Sequence, residues 1–270
     1  MKITKMESLG NDFIVVDYQK GVSYEKLAPK ILNRRLGVGG DLLIAVKNDP
    51  LEMLCYNTLG KREDMSTNAL ACFTKYAHDL RLFRGNSANV LTTYGMKEAT
   101  IEEEIPFLAK VNLGIPNYNN QMLYVNDSLS CMGRIIKANG IEVNTYSVSL
   151  GGCNTVVFID SFRSKYLELA EAIAMHSLFK RHTNVTFCQV INKLNIKCRT
   201  YEYDKGFVLS NADGCSSAMV IARELNLVKG KVHAEVDNGS FYIEIGKKNN
   251  VYIKTPARYV FTGEYNEEEI

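Results

Sequence analysis

Two apolar rhythms run through this chain. Short runs rich in β-branched residues read as strands: Phe13 to Asp17, Leu42 to Val46, Glu52 to Asn57, Val148 to Asp160, Val185 to Ile191 and Ile196 to Tyr203. Other stretches carry apolar residues every three to four positions and read as amphipathic helices. Tyr24 to Leu36 is one, ended by Gly37. Asn68 to Leu82 is another, with Leu70, Phe73, Ala77 and Leu80 near helical spacing. Ser164 to Ser177 places Leu167, Ala170, Ile173 and Ala174 on one face, and Ser216 to Leu225 completes the set. Strand-like runs dominate from the end of the Asn68 to Leu82 helix to about residue 113, and Asp237-Asn238-Gly239 marks a late hairpin.

The order of these elements recurs. Asn11-Asp12-Phe13-Ile14-Val15-Val16-Asp17 is echoed by Asn154-Thr155-Val156-Val157-Phe158-Ile159-Asp160. Ser66-Thr67-Asn68-Ala69 is echoed, at nearly the same offset, by Asp213-Gly214-Cys215-Ser216. A helix lies between the two landmarks in each half. This predicts a duplicated α/β unit with a ligand cleft between two pseudo-symmetric lobes. Each Ser66 and Asp213 segment opens a helix, where unpaired N–H groups and the positive dipole end bind anions. Two such starts facing one another would hold one carboxylate, with Ser66 and Asp213 on either side of the group that carries it.

Composition narrows the function classes. The 270 residues are 46% hydrophobic, enough for one large or two medium domains. A net charge of +2 gives no steering field for nucleic acid or membrane. The clusters Lys30, Arg34, Arg35 and Lys247, Lys248 read as solvated faces. No apolar run reaches membrane-spanning length, and the N-terminus has no signal-peptide pattern. Seven cysteines, an odd count, read as reduced thiols in a cytoplasmic protein. The absence of a Cys-x-x-Cys pair and of ligand spacing among the four histidines speaks against zinc. Gly37 to Gly40 lacks a following Lys-Ser/Thr and reads as a turn and not a phosphate loop.

Several segments together resemble the diaminopimelate epimerase family of amino-acid epimerases and racemases. Lys5-Met6-Glu7-Ser8-Leu9-Gly10-Asn11-Asp12-Phe13 is similar to its opening motif, and Arg35 to Asp41 to the next. Asn57 to Gly60, continuing through Asn68 and Cys72-Phe73, follows its first active-site segment. His182 to Phe187, Arg199 to Glu202, Pro256-Ala257 and Val260 to Glu264 resemble later ones. The resemblance implies an α/β fold of two lobes, each a curved mixed sheet around a central helix. It implies lobes at 1–115, with a C-terminal return at 258–270, and 116–257. It implies a lysine-biosynthesis-type isomerase independent of pyridoxal phosphate and of other cofactors, acting on a small amino acid; the sequence leaves the assembly open, a symmetric homodimer being only the general default.

The family's chemistry uses two cysteines, one on each face of the substrate α-carbon, with the α-carboxylate on the two helix starts. Carried over residue by residue, Asn11, Asn57, Asn184 and Glu202 stand at substrate-binding positions. Thr67, Asn68, Gly214 and Cys215 stand at the backbone-donor positions. Ser66 and Asp213 stand where the two catalytic cysteines belong, Tyr203 replaces the arginine after Glu202, Leu42 replaces a glutamine, and Gly152-Cys153-Asn154 replaces Asn-Pro-His.

These replacements change the expected chemistry. A cysteine ionises near ~8.5, whereas a serine hydroxyl needs an activating base that the sequence does not place. A carboxylate with an ordinary pKa of ~3.9, further ionised at a helix start, accepts a proton but returns it slowly. The first reading is therefore an amino-acid epimerase or racemase. An alternative is a one-base isomerase or lyase using Asp213, and another is a non-catalytic amino-acid-binding homologue. Tyr203 cannot clamp a distal carboxylate as arginine does, so the far end of the ligand is expected to differ from that of diaminopimelate. Cys72 and Cys215 could form a displaced catalytic pair, but Cys72 reads better as a core thiol. Glu202 fits equally a partner for Arg199 or Lys205 and a ligand for a substrate ammonium.

Overall fold

The computed structural model describes residues 1–63 and 65–266. The chain divides into two compact units, Met1–Asn112 with Lys254–Ile270, and Leu113–Ile253.

In the first unit β1 (Lys2–Ser8) and β2 (Asn11–Asp17) form a tight hairpin with Ser8 opposite Asn11. The helix α1 (Tyr24–Ile31) crosses to β3 (Leu42–Lys47), which pairs parallel to β2 with Phe13 opposite Leu42. β4 (Glu52–Tyr56) runs antiparallel to β3, and α2 (Thr67–Asp79) follows. Then come β5 (Ser87–Thr92), β6 (Gly95–Glu104) and β7 (Phe107–Gly114), an antiparallel series.

The second unit repeats this order. β8 (Met132–Ala138), β9 (Ile141–Ser149) and β10 (Cys153–Phe158) are antiparallel neighbours. A 3-10 turn (Lys165–Leu169) and α3 (Ala170–Ala174) cross to β11 (Asn184–Asn192), which is parallel to β10. β12 (Asn195–Glu202) runs back antiparallel, β13 (Gly206–Val208) pairs with it, and α4 (Ala212–Glu224) follows. β14 (Lys231–Val236) and β15 (Gly239–Ile245) form the hairpin at Asp237-Asn238. β16 (Val251–Pro256) leads out of this unit, and β17 (Arg258–Glu264) pairs antiparallel with β1 in the first.

Helices on both sheet faces explain the continuous apolar strands. Phe13, Ile14, Val15 and Val16 are all at most 1% exposed. Ile14 and Val16 pack with Leu27, Ala28 and Ile31 of α1, while α2 lies against β1, β2 and β3. In the second unit Val157, Val185 and Phe187 pack on Ala170 and Ile173, and α4 lies against β9, β10, β11 and β12. The two helices α2 and α4 are buried nearly all round, so each is the centre of its unit. A fully buried Leu70 or Phe73 contributes roughly 2–3 kcal/mol.

Three helix expectations need correction. The first helix stops at Ile31 and does not reach Leu36: the Asn33 side chain accepts from the N–H groups of Arg35 and Leu36, both at 2.9 Å, and turns the chain. The region 164–177 is a 3-10 turn plus a five-residue helix and not one continuous helix. The last helix opens at Ala212 and not at Ser216, because Asn211 caps it.

Candidate active site

Within the first unit, Ser66 is the N-cap of α2, with extended backbone (φ −95°, ψ 136°). Its carbonyl accepts from Leu70 N–H at 2.9 Å, its side chain makes no capping bond, and it is half-buried. Among the described residues no histidine or lysine is hydrogen-bonded to it. Thr67 and Asn68 follow, both buried, and Asn68 Nδ2 donates to the Ser8 carbonyl at 3.3 Å. That bond ties the start of α2 to the β1–β2 turn, next to Asn11. Asn57 serves its own loop: Oδ1 accepts from Leu59 and Lys61 N–H at 3.0 Å each, and Nδ2 donates to Glu63 at 2.6 Å.

Within the second unit, Asn211 Oδ1 accepts from Gly214 N–H at 2.6 Å and caps α4. Its Nδ2 donates to Glu202 Oε1 at 2.8 Å, and Lys205 Nζ reaches Glu202 Oε2 at 2.5 Å. Glu202, 8% exposed, thus anchors the cap and pairs with Lys205; Arg199 pairs instead with Asp237. The N–H groups of Gly214 and Cys215, expected from the sequence to serve a ligand, are engaged inside the helix: Gly214 by the cap and Cys215 by the Asn211 carbonyl at 3.1 Å. The shift of the helix start to Ala212 is the physical reason.

Asp213 occupies the second position of α4, half-buried. A Cβ placed on Gly151 (φ +69°) would lie 2.5 Å from Asp213 Oδ1, so the carboxylate rests directly on that glycine. A Cβ on Gly214 would lie 2.3 Å from Thr186 Oγ1 and 2.8 Å from Thr200 Oγ1. Those two hydroxyls are themselves hydrogen-bonded at 2.9 Å. Glycine at 214 lets the helix start sink against β11 and β12. Asn184 opens β11, and the half-exposed Tyr203 ring lies 5.6 Å from that of His182.

Cys72 lies fully buried in α2, and burial with the nearby Glu7 charge pushes its thiol well up. Hydrogen bonding to Cys198 and burial do the same to Cys215. Both remain neutral thiols, unsuited to abstract a proton.

Sequence reasoning missed Asn211 and Gly151, which hold the start of α4 and lie under the Asp213 carboxylate. The cap was signalled by an asparagine three residues before Gly214 at the head of an apolar run. It also missed a charge cluster beside Asn11, in which Asp12 meets Lys5 at 2.9 Å and Arg34 at 2.7 Å, and Arg34 meets Asp41 at 2.8 Å. Burial raises the Asp12 pKa, but the bonds to Arg34 and Lys5 outweigh it and bring it to about 2.

The family model for diaminopimelate epimerase matches residues 146–260. The diaminopimelate epimerase of Alkaliphilus metalliredigens (strain QYMF) is 31% identical over 276 residues, covering 98% of this chain and 97% of the relative. That of Caldanaerobacter subterraneus subsp. tengcongensis is 31% identical over 271 residues, covering 98% and 99%. Among solved structures, a hydroxyproline epimerase from Agrobacterium vitis with bound trans-4-OH-L-proline superposes with TM-score 0.70 at 11% identity, covering 97% of this chain and 91% of that one. A Bacillus anthracis phenazine biosynthesis protein of the PhzF family gives 0.68 at 12%, covering 98% and 99%. These two likenesses show the two-lobed mixed α/β fold. On the full-length relatives, the chain belongs to the diaminopimelate epimerase family.

Proposed function

We propose that this protein is an amino-acid epimerase or racemase that works at the substrate α-carbon without pyridoxal phosphate. In this reading Ser66 and Asp213 take the places of the family's two acid–base cysteines. Thr67 and Asn68, at the start of α2, offer the α-carboxylate a helix start. Asn11, Asn57, Asn184, Glu202 and Tyr203 surround the rest of the ligand. The seven free cysteines accord with a reducing, cytoplasmic setting.

The observation that carries the reading is Asp213. It sits at the head of a capped helix, at the family's second cysteine position, with its carboxylate pinned on Gly151. A carboxylate held there accepts an α-proton, and the helix dipole stabilises the negative charge that develops on the substrate. Ser66, with no activating base hydrogen-bonded to it among the described residues, supplies a hydroxyl proton more readily than it removes an α-proton. That asymmetry favours, as a second reading, a one-base isomerase or lyase driven by Asp213.

The roles are tested by α-proton exchange into D2O, followed by NMR over a panel of amino acids. Asp213→Asn abolishes exchange, and Ser66→Ala suppresses inversion while sparing exchange with retention. Unchanged exchange in both variants removes the assigned roles.

A further inference from the structure

We propose that the first unit carries a second small-molecule site, on the α1 side of its sheet, and that this site takes an aromatic α-amino acid as its zwitterion. The ligand ring joins a run of three tyrosines, its carboxylate meets Arg62 and Lys47, and its ammonium meets Glu25. The inference goes beyond the chemistry at Ser66 and Asp213 and does not depend on it.

Strand alternation builds the floor. Glu52, Leu54 and Tyr56 stand at every second position of β4, so their side chains leave one face of the sheet. Leu54 and Tyr56 pack with Leu27, Ala28 and Ile31 of α1, which makes it the α1 face. Lys47, at the end of β3, lies opposite Glu52 in the register. The start of α1 covers this corner and leaves a cavity of about 310 Å³. Small-molecule sites run from about 300 to 1,000 Å³, so the space suits a ligand of amino-acid size.

Tyr18, Tyr24 and Tyr56 line the cavity as a stacked run. Successive ring centroids are 5.6 Å apart, with the planes inclined by 25° and 23°. Tyr24 and Tyr56 are buried, and the Tyr24 hydroxyl accepts from Gln19 N–H at 2.7 Å, which fixes the middle of the run. Tyr18, at one end, is 39% exposed and leaves that end open to a further ring.

Charges of both signs line the same cavity. Glu52 Oε2 meets Lys47 Nζ at 3.1 Å, and its Oε1 meets Arg62 Nη2 at 3.3 Å. One carboxylate thus serves two cations, which keep N–H groups for another. Glu25, at the head of α1, accepts from the Ser23 hydroxyl at 3.3 Å and forms no ion pair among the described residues. Burial raises the Tyr56 pKa, the Glu25 charge raises it further and Arg62 opposes both, so the two charges bear on one ring. The loop bearing Arg62 is seated on this helix start, because a Cβ on Gly60 (φ +74°) would meet the Glu25 carbonyl oxygen. A cation pair short of one carboxylate, an acid short of a cation and a run of rings match the three parts of an aromatic amino acid. A phosphate would face Glu25, and a plain aromatic amine would leave Arg62 and Lys47 sharing Glu52.

The test is calorimetric titration of the protein with L-phenylalanine and with analogues that each lack one part: phenethylamine, 3-phenylpropionate and L-alanine. L-Phenylalanine is expected to bind about tenfold tighter than each of them. Glu25→Gln and Arg62→Gln are each expected to weaken it about tenfold. Both side chains are exposed, so the fold is kept, which circular dichroism checks. Affinity for L-phenylalanine no better than for an analogue, or unchanged by either substitution, overturns the inference, as does the absence of binding.

Discussion

Gly151 offers a direct handle on how Asp213 is held. Replacing it with alanine does two things. The φ of +69° becomes strained by about 1–2 kcal/mol, offset by about 0.4–1 kcal/mol from a stiffer unfolded chain. The new Cβ also arrives 2.5 Å from Asp213 Oδ1, an overpacking of about 1–3 kcal/mol. Gly140 isolates the first effect, since its φ is +82° and nothing lies within 4 Å of a Cβ there. Urea unfolding is expected to show Gly140→Ala destabilised by at most ~1.6 kcal/mol and Gly151→Ala by roughly 1–4.6 kcal/mol. In an Asp213→Ala background the nearest surviving contact is the Asp213 Cβ at 3.6 Å, an ordinary one. The penalty of Gly151→Ala should then fall to that of Gly140→Ala. A double-mutant coupling of about 1–3 kcal/mol is the expected result. The same Gly151→Ala protein should exchange substrate α-protons at least tenfold more slowly, with Gly140→Ala unaffected. Coupling below ~0.5 kcal/mol would refute the placement of the carboxylate on Gly151.

Other expectations follow from the same geometry. Asn211→Ala removes the α4 cap and the Glu202 contact and should destabilise by about 1–3 kcal/mol in urea; no loss would show the cap to be idle. Asp12 has a folded pKa of about 2, below its unfolded value of ~3.9. Its stabilisation, about 2 kcal/mol, is present above pH ~4 and lost as pH falls toward ~2, a slope that Asp12→Asn should flatten in acid-unfolding titrations. Of the seven cysteines only Cys153 is not buried, so a thiol reagent at pH 8 should label one site in the native protein; rapid labelling of Cys72 or Cys215 would contradict their burial.

The repeated order of strands and helices was legible because burial on both sheet faces demands unbroken apolar runs such as Ile14-Val15-Val16. The ends of helices were less so. Asn33 stops α1 with a side-chain bond that competes with the helix, and Asn211 starts α4 earlier than the apolar rhythm indicates. Ser66 and Asp213 could be singled out from spacing and resemblance. The role of Gly151 could not, since its closeness to Asp213 is a contact across 61 intervening residues that no local pattern encodes. Asn154 was visible as part of a repeated strand and of the Gly152-Cys153-Asn154 segment; that its side-chain oxygen is buried emerges only from the fold. Asn57 reads as a ligand residue in the sequence, and its hold on its own turn, through Leu59 and Lys61, is what the sequence left unread.

The central claim is proton chemistry at the α-carbon of an amino acid with Asp213 as the base. Incubating the protein in D2O with each enantiomer of lysine and with meso-diaminopimelate tests it, with deuterium at the α-carbon and enantiomer ratio read together. α-Deuterium incorporation is expected, fastest from the stereoisomer whose proton faces Asp213, with slower appearance of the inverted product. Bound amino acid that keeps every α-proton after prolonged incubation would contradict it.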